Sequence, residues 1–193
     1  MNALEFGAEL PELVKGYIQP AHVEQKLGNV SLLMLIGPSG VGKSTAIQNL
    51  PYHYVASHTD RPVRPGEVNG VDYNFVNDYD QLKADILDQQ FVQVAAVHDH
   101  FYGTRLDSYP DERVAVMAVA AKAVPVFRQL PFKETISAFL IPKNYDTLMG
   151  RRRAHNLSDA QRRLRDKEAI GSIETAFEDY RLTKLTHFML SDT

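Results

Sequence analysis

The chain has 193 residues, of which 44% are hydrophobic and 23% are charged, and its formal net charge at pH 7 is −3. This length and composition are typical of one soluble globular domain and argue against disordered and fibrous proteins. The absence of cysteine excludes disulfides and thiolate metal sites, and the small net charge offers no general attraction to nucleic acid.

Residues 1–29 are expected to form a helical extension. Apolar residues from Leu10 to Ile18 recur at helical spacing with Pro11 expected in the first turn, and a second short helix is expected over 21–27. The segment has no basic stretch followed by an apolar run, so it does not resemble a signal peptide. No apolar run approaches the roughly 20 residues that span a bilayer. We therefore expect a cytoplasmic protein that binds neither membranes nor nucleic acid.

Strands and helices alternate from residue 30 onward. The predicted strands cover residues 30–36, 52–57, 91–97, 113–119, 135–141 and 186–190. The predicted helices cover residues 43–50, 78–89, 145–153 and 158–180, with Asp78 and Ser158 as N-caps. This alternation predicts an α/β domain with a mainly parallel sheet. A plain loop is expected at residues 98–100, because adjacent histidines and an aspartate on a strand face apart and cannot share a metal.

A glycine-rich segment follows the first predicted buried strand and matches the pattern G-x-x-x-x-G-K-[ST]. In such a setting the backbone N–H groups and the following helix N-terminus hold phosphate groups. The lysine, Lys43, reaches the β- and γ-phosphates, and the hydroxyl of Ser44 ligates Mg²⁺. The pattern therefore predicts ATP binding with Mg²⁺, through Gly37, Ser39, Gly40, Val41, Gly42, Lys43, Ser44 and Thr45.

An arginine-rich loop lies between residues 57 and 75. Arg61 and Arg64 are three residues apart and lie near the hydroxyls of Ser57 and Tyr73 in the sequence. Guanidinium and hydroxyl groups bind phosphate dianions through charge-assisted hydrogen bonds, and two prolines stiffen the loop. On composition alone, an exposed arginine-rich loop is an equally good interpretation. With the phosphate-binding segment, the loop indicates a small phosphorylated acceptor.

At these residues the chain resembles guanylate kinases, whose loop reads S-x-T-T-R-x-x-R-x-G-E-x-x-G-x-D-Y-x-F. Residues 91–95 and 100–104 resemble the family's F-[LI]-E-W-A and N-Y-Y-G-[TS], and residues 142–151 and 162–164 resemble its lid. The resemblance implies a P-loop NTPase fold with a parallel core sheet, a small acceptor-binding subdomain and a helical lid. It also implies ATP-dependent phosphoryl transfer to a nucleoside monophosphate, with GMP to GDP as the first candidate. The implied organisation is an extension over 1–29 and a family domain over 30–193, with the acceptor region at 57–104 and the lid at 142–165.

The resemblance also implies roles for individual residues. Catalytic roles fall on Lys43, Arg151 and Arg163, which would neutralise charge on the transferring phosphoryl group. Arg151 and Arg163 belong to arginine clusters at residues 151–153 and 162–165. The alternative to a catalytic role is that these clusters lie on an exposed helix face and pair with neighbouring acidic residues. The residues implied to bind the acceptor are Ser57, Arg61, Arg64, Tyr73, Gln93, Tyr102 and Thr104.

Two departures from the family pattern leave the acceptor base open. Gln93 stands where the family has a glutamate, and an amide offers one acceptor oxygen where a carboxylate offers two. The strand at 114–119 carries no aspartate, although the family places two there. One alternative is therefore a kinase of another phosphorylated acceptor, such as a sugar phosphate. Another is a non-catalytic nucleotide-binding module, although such modules typically lack the lysine that is present here at position 43.

Overall fold

The structure is a computed structural model. It describes residues 1–142 except 39, 65, 98 and 112, and also ten helical positions between 163 and 178. Residue 142 and residues 186–191 are described for the backbone only. The lid predicted over 142–165 lies outside the described residues apart from positions 142 and 163, and so do Arg151 and the helix predicted over 145–153. Among the described residues, none of the helices combines the length and the apolar character needed to cross a bilayer.

The described helices and strands alternate along most of the chain. The helices are α1 (Ala3–Lys15), α2 (Val23–Leu27), α3 (Lys43–Gln48), α4 (Tyr79–Leu87) and α5 (Val124–Arg128), with short 3₁₀ turns at Leu106–Ser108 and Ala121–Ala123. The strands are β1 (Val30–Ile36), β2 (His53–Tyr54), β3 (His58–Thr59), β4 (Asn74–Phe75), β5 (Phe91–Val97), β6 (His100–Arg105), β7 (Arg113–Ala118), β8 (Glu134–Pro142) and β9 (Thr186–Ser191).

The chain forms two compact units. One contains Met1–Asn29 and Val55–Asp111, and the other contains Val30–Tyr54 and Glu112–Thr193. The chain therefore passes between the units three times.

A five-stranded sheet in the order β2-β7-β1-β8-β9 lies in the second of these units. All four strand pairs are parallel, which confirms the predicted parallel core sheet. The central strand β1 is a nearly continuous apolar run, as expected for a parallel strand covered on both faces. Leu35 of this strand is buried in one cluster with Val41, which lies in the loop after β1, and with Ile47, which lies in α3. This packing fixes the start of α3 against the end of β1.

A four-stranded sheet in the order β4-β3-β6-β5 lies in the other unit. Strand β6 is antiparallel to both β3 and β5, whereas β3 and β4 are parallel. Phe6 and Leu10 of α1 and Ile86 of α4 are buried in one cluster with Phe91 and Phe101 of the sheet. Helices α1 and α4 therefore cover one face of this sheet.

The start of α1 differs from the prediction. The helix begins at Ala3, and Pro11 lies inside it rather than in its first turn. The Asn2 side chain accepts hydrogen bonds from the N–H groups of Leu4 and Glu5, and the Glu5 carboxylate accepts from the Asn2 N–H. This capping box starts the helix upstream of the proline, so the prediction that placed Pro11 in the first turn was wrong.

Two further predictions were wrong in detail. The strand predicted over 52–57 is confined to the two residues of β2. The chain changes unit between Tyr54 and Val55, and the next strand, β3, begins only at His58 and belongs to the other sheet. The loop expected at 98–100 is shorter, since Asp99 takes a left-handed conformation with φ of 61° and His100 already begins β6. By contrast, Asp78 caps α4 as predicted, with its Oδ1 accepting from the Gln81 N–H at 3.0 Å.

Candidate active site

The phosphate-binding segment lies between the end of β1 and the start of α3. Gly37, Gly40 and Gly42 have φ values of 145°, 82° and 103°, which L-residues with side chains rarely adopt. A Cβ on Gly37 would come within 2.8 Å of the Leu140 carbonyl oxygen, so glycine is also required there for space. The backbone thus forms a tight concave loop whose N–H groups lie at a helix N-terminus, the geometry that binds phosphate.

The Lys43 side chain folds back across this loop. Its Nζ donates hydrogen bonds to the carbonyl oxygens of Gly37 at 2.7 Å and Pro38 at 3.2 Å. Ser44 and Thr45 follow in the first turn of α3, and both are exposed. Of the residues predicted to bind ATP, Ser39 lies outside the described residues, and the structure brings the others together.

One side-chain oxygen beside this loop is suited to bind Mg²⁺. The exposed Ser44 hydroxyl is a hard oxygen ligand next to Lys43. Ala115, Val116 and Met117 of β7 are buried and apolar, so the strand that has aspartates in the family adds no carboxylate from these positions. Among the described residues, no group of three or more histidine, cysteine, aspartate or glutamate side chains could hold a metal ion. A magnesium ion there would depend on Ser44, phosphate oxygens and water.

The four-stranded sheet presents several predicted acceptor-binding residues on one face. Gln93 pairs with Thr104, and Tyr102 pairs with Thr59, so all four project to the same side of the sheet. Gly103 faces the other side, where an added Cβ would lie 2.9 Å from the Phe91 ring. Of the predicted acceptor-binding residues, Gln93, Tyr102 and Thr104 therefore lie on the face of the sheet opposite α1 and α4.

Arg61 is buried, and its guanidinium is held by a carboxylate. Its Nη1 and Nη2 donate to the two Glu67 carboxylate oxygens at 2.8 and 2.6 Å, and its Cζ lies 4.7 Å from the centre of the Tyr73 ring. Burial alone would lower the pKa of Arg61, but the hydrogen bonds and charge of Glu67 outweigh it and raise this pKa. Arg61 is therefore a fixed positive charge within the loop.

Glu67 contacts both arginines of the loop, although no role was predicted for it. Its carboxylate also accepts from the Arg64 backbone N–H at 2.8 Å, while the Arg64 side chain is exposed. Burial would raise the pKa of Glu67, but the Arg61 side chain and the Arg64 N–H lower it on balance, so the carboxylate stays ionised. The signal was present in the sequence, since the family loop contains a glutamate at this position.

Two tyrosine rings extend this cluster. The Tyr73 and Tyr102 ring centroids are 6.1 Å apart in an edge-on arrangement. Burial raises the pKa of Tyr73, so its phenol stays protonated and can donate a hydrogen bond. Ser57 is half-buried immediately before β3. The structure thus brings Arg61, Tyr73 and Tyr102 together, with Arg64 on the same loop.

Thr104 is fully buried, and its predicted contact with the acceptor base stays a prediction. Its Oγ1 accepts a hydrogen bond from the hydroxyl of Tyr109 at 3.2 Å, a partner that the sequence analysis missed. Burial also raises the pKa of Tyr109, which keeps this donor protonated. Among the residues predicted to be catalytic in the lid, Arg163 is exposed at a helical position and Arg151 lies outside the described residues.

The chain was compared with known protein families and curated proteins. A family model described as guanylate kinase matches residues 29–181. A guanylate kinase from Nostoc sp. is 34% identical over 158 residues, which cover 72% of this chain and 75% of that protein. One from Campylobacter jejuni (strain RM1221) is 26% identical over 182 residues, which cover 81% of this chain and 88% of that protein. The matched segment includes both the phosphate-binding loop and the arginine loop.

A solved structure gives the same result for the fold. The crystal structure of guanylate kinase from Anaplasma phagocytophilum matches 84% of this chain and 77% of its own, with a TM-score of 0.55. At 20% sequence identity this likeness shows the fold alone. It agrees with the α/β fold and the parallel core sheet described above.

Proposed function

The chain belongs to the guanylate kinase family, and on this premise we propose that it transfers the γ-phosphoryl group of ATP to GMP. An oxygen of the GMP phosphate forms a bond to the γ-phosphorus, and the bond to the β,γ-bridging oxygen breaks. The products are GDP and ADP. The chemistry needs no covalent intermediate with the protein, so the residues act by positioning and by neutralising charge.

The observation that supports a phosphorylated acceptor most directly is the cluster of Arg61, Tyr73 and Tyr102 beside the exposed Arg64. Arg61 carries a fixed charge because Glu67 holds it, and the two tyrosines add phenol hydroxyls. Such a set suits a phosphate dianion, which accepts several hydrogen bonds at once. Gln93 lies on the same face of the sheet, and its amide oxygen would accept from the guanine N1–H.

The donor nucleotide is assigned to the loop at residues 37–45. Lys43 would exchange its bonds to Gly37 and Pro38 for bonds to the β- and γ-phosphates of ATP. When bound, Mg²⁺ would draw negative charge from the phosphates, and Ser44 would supply the protein ligand. We also assign Arg151 and Arg163 to the transferring phosphoryl group, since the family lid carries arginines at the corresponding places.

An assay of ADP formation tests the proposal. The protein is incubated with ATP and Mg²⁺ and with GMP, AMP, CMP, UMP or ribose 5-phosphate in turn, and ADP release is coupled to NADH oxidation. We expect the highest kcat/KM with GMP and no turnover in Lys43→Ala. A higher kcat/KM with ribose 5-phosphate than with GMP would mean that the acceptor is a sugar phosphate. ATP binding without turnover on any acceptor would contradict the enzymatic proposal.

A further inference from the structure

The hydroxyl of Tyr17 binds both backbone groups of one residue in the four-stranded sheet. It donates to the Phe91 carbonyl oxygen and accepts from the Phe91 N–H, the latter at 3.1 Å. A phenol hydroxyl can do both at once, because it carries one proton and two lone pairs. Burial raises the pKa of Tyr17, although the bond to Phe91 opposes this, so the donating proton is retained.

Phe91 begins strand β5, which lies at the edge of the described sheet with β6 on one side only. The backbone groups on the outer side of an edge strand have no neighbouring strand to pair with. Tyr17 takes the place of such a strand at Phe91. It therefore fixes the backbone at the point where β5 enters the sheet.

A β-bulge follows immediately in the same strand. Phe91 pairs with Arg105 and Gln93 pairs with Thr104, so the register shifts between them and Val92 is the extra residue. Phe91 and Val92 are both buried, although successive residues of a regular strand face opposite sides. Bulges re-aim the side chains that follow them. The direction of Gln93 therefore depends on the backbone that Tyr17 holds.

The segment that carries Tyr17 is firmly attached to the same unit. Phe6 and Leu10 of α1 are buried beneath the sheet, and Lys83 of α4 forms a 2.5 Å ion pair with Glu9. Residues 1–28 lie outside the segment that matches the family model. The contact with Phe91 is thus made by a part of the chain that the family match does not include.

We propose that Tyr17 is a positioning residue for acceptor recognition, holding β5 at Phe91 so that Gln93 faces the acceptor base. The proposal rests on the function proposed above, because it assigns Gln93 to a guanine site. It gives the extension at residues 1–29 a defined part in substrate binding. The effect should fall on the acceptor and leave the ATP loop unchanged, since that loop belongs to the other unit.

The variant Tyr17→Phe tests the proposal, because it removes the hydroxyl and keeps the ring. We expect the KM for GMP to rise about three- to tenfold, the loss expected for one net hydrogen bond, with the KM for ATP unchanged. Backbone amides over 91–97 should exchange faster with deuterium than in the unmodified protein. Tyr79→Phe is the matched control. The Tyr79 ring packs on the same cluster, with its centroid 5.4 Å from that of Phe6, and Tyr79 takes no part in the hydrogen bonds between Tyr17 and Phe91.

Each outcome decides a separate point. A lower melting temperature with an unchanged KM for GMP would mean that Tyr17 only stabilises the fold, and would overturn the proposal. Equal increases in the KM for GMP and ATP would overturn it too. If the unmodified protein showed no turnover with GMP, the proposed function itself would fail, along with the assignment of Gln93. The exchange measurement would then still decide whether Tyr17 holds β5.

Discussion

Arg61 and Arg64 lie three residues apart in one loop, yet their surroundings divide two tasks between them. Arg61 is 5% exposed and its guanidinium is paired with Glu67, whereas the Arg64 side chain is exposed and only its backbone N–H contacts Glu67. A buried, paired guanidinium supplies fixed charge and holds the loop in shape. An exposed one can form new bonds to a phosphate at little structural cost. From the sequence alone the two arginines are equivalent, because their spacing contains no information about burial.

Replacing Arg64 by alanine should weaken acceptor binding selectively. Loss of one charge-assisted hydrogen bond costs about 1.5–3 kcal/mol, which corresponds to an increase of about 10- to 150-fold in the KM for GMP. Steady-state kinetics with each substrate varied in turn would measure it. Arg113→Ala, at an exposed position on β7, is the control and should change neither KM. Equal increases in the KM for ATP and GMP would place Arg64 outside the acceptor site.

Replacing Glu67 by glutamine should destabilise the protein in a pH-dependent way. The change leaves Arg61 buried without its carboxylate, which we expect to cost about 2–3 kcal/mol, less than for a fully buried pair because Glu67 is 19% exposed. The pKa of Glu67 is lower in the folded protein than the ordinary value of 4.5. Its stabilisation is therefore complete above pH 4.5 and is lost as the pH falls through the folded pKa.

Urea unfolding of both proteins between pH 7 and pH 3 would measure this difference. The gap in free energy of unfolding between the unmodified protein and Glu67→Gln should be constant near neutrality and shrink in acid. A gap that stayed the same at every pH would show that the ion pair does not contribute through its charge.

Gln93 is the residue on which the choice of base depends most. In Gln93→Glu a carboxylate would accept from both the guanine N1–H and its amino group, so we expect about a tenfold gain in kcat/KM for GMP. Discrimination against AMP should increase too, because a carboxylate cannot donate to the adenine N1. Gln129→Glu, at an exposed position in the other unit, controls for the added charge. A loss of GMP turnover in Gln93→Glu would count against guanine as the base that faces this residue.

At the scale of elements, predictions from local signals were the more accurate ones. The continuous apolar run of β1, the glycines after it and the Asp78 cap of α4 each depend on neighbouring residues, and the structure has them as predicted. The separation of β2 and β3 into two sheets depends on pairing with strands far along the chain, since β2 pairs with β7 and β3 pairs with β6. The contact of Tyr17 with Phe91 likewise joins residues that are far apart in the chain. Spacing within a sequence does not show which distant residues will meet.

The cap of α4 offers a test at this scale. Asp78→Ala removes the acceptor for the Gln81 N–H, which should lower the free energy of unfolding by about 1 kcal/mol. Helix α4 contributes Leu82 and Ile86 to the core beneath the four-stranded sheet, so fraying would reach that core. Asp88→Ala at the other end of the helix is the control, and there loss of a negative charge should be neutral or slightly stabilising. Equal losses from both variants in urea unfolding would contradict the capping argument.

At the scale of the whole molecule, the two proposed nucleotide sites belong to different units. The phosphate-binding loop lies in the unit with the parallel sheet, and the arginine loop lies in the unit with α1 and the four-stranded sheet. On the proposed assignment, each substrate would contact, in the first place, residues of one unit. This organisation predicts that each ligand stabilises its own part of the chain.

Hydrogen exchange with one ligand at a time would test this organisation. A non-hydrolysable ATP analogue with Mg²⁺ should protect amides around 37–45, and GMP should protect amides within 57–104. At a hundredfold excess over Kd, either ligand should stabilise the protein by about 2.7 kcal/mol, which would also appear as a higher melting temperature. Lys43→Ala should lose the response to the ATP analogue and keep the response to GMP. Protection by GMP confined to residues 37–45 would contradict the assignment of the two sites.

The strand order of the parallel sheet has a consequence for synthesis on the ribosome. Strand β1 is made early, yet its two neighbours are β7 at Arg113–Ala118 and β8 at Glu134–Pro142. The apolar run of β1 must therefore stay unpaired while about 80 further residues are translated to complete β7. Non-local pairing of this kind is slow and exposes chains to aggregation. The unit built from residues 1–29 and 55–111 has all its strands available earlier. The nascent chain can thus complete the unit that carries the arginine loop before the unit that carries the phosphate-binding loop, and β1 has no strand partner in the interval.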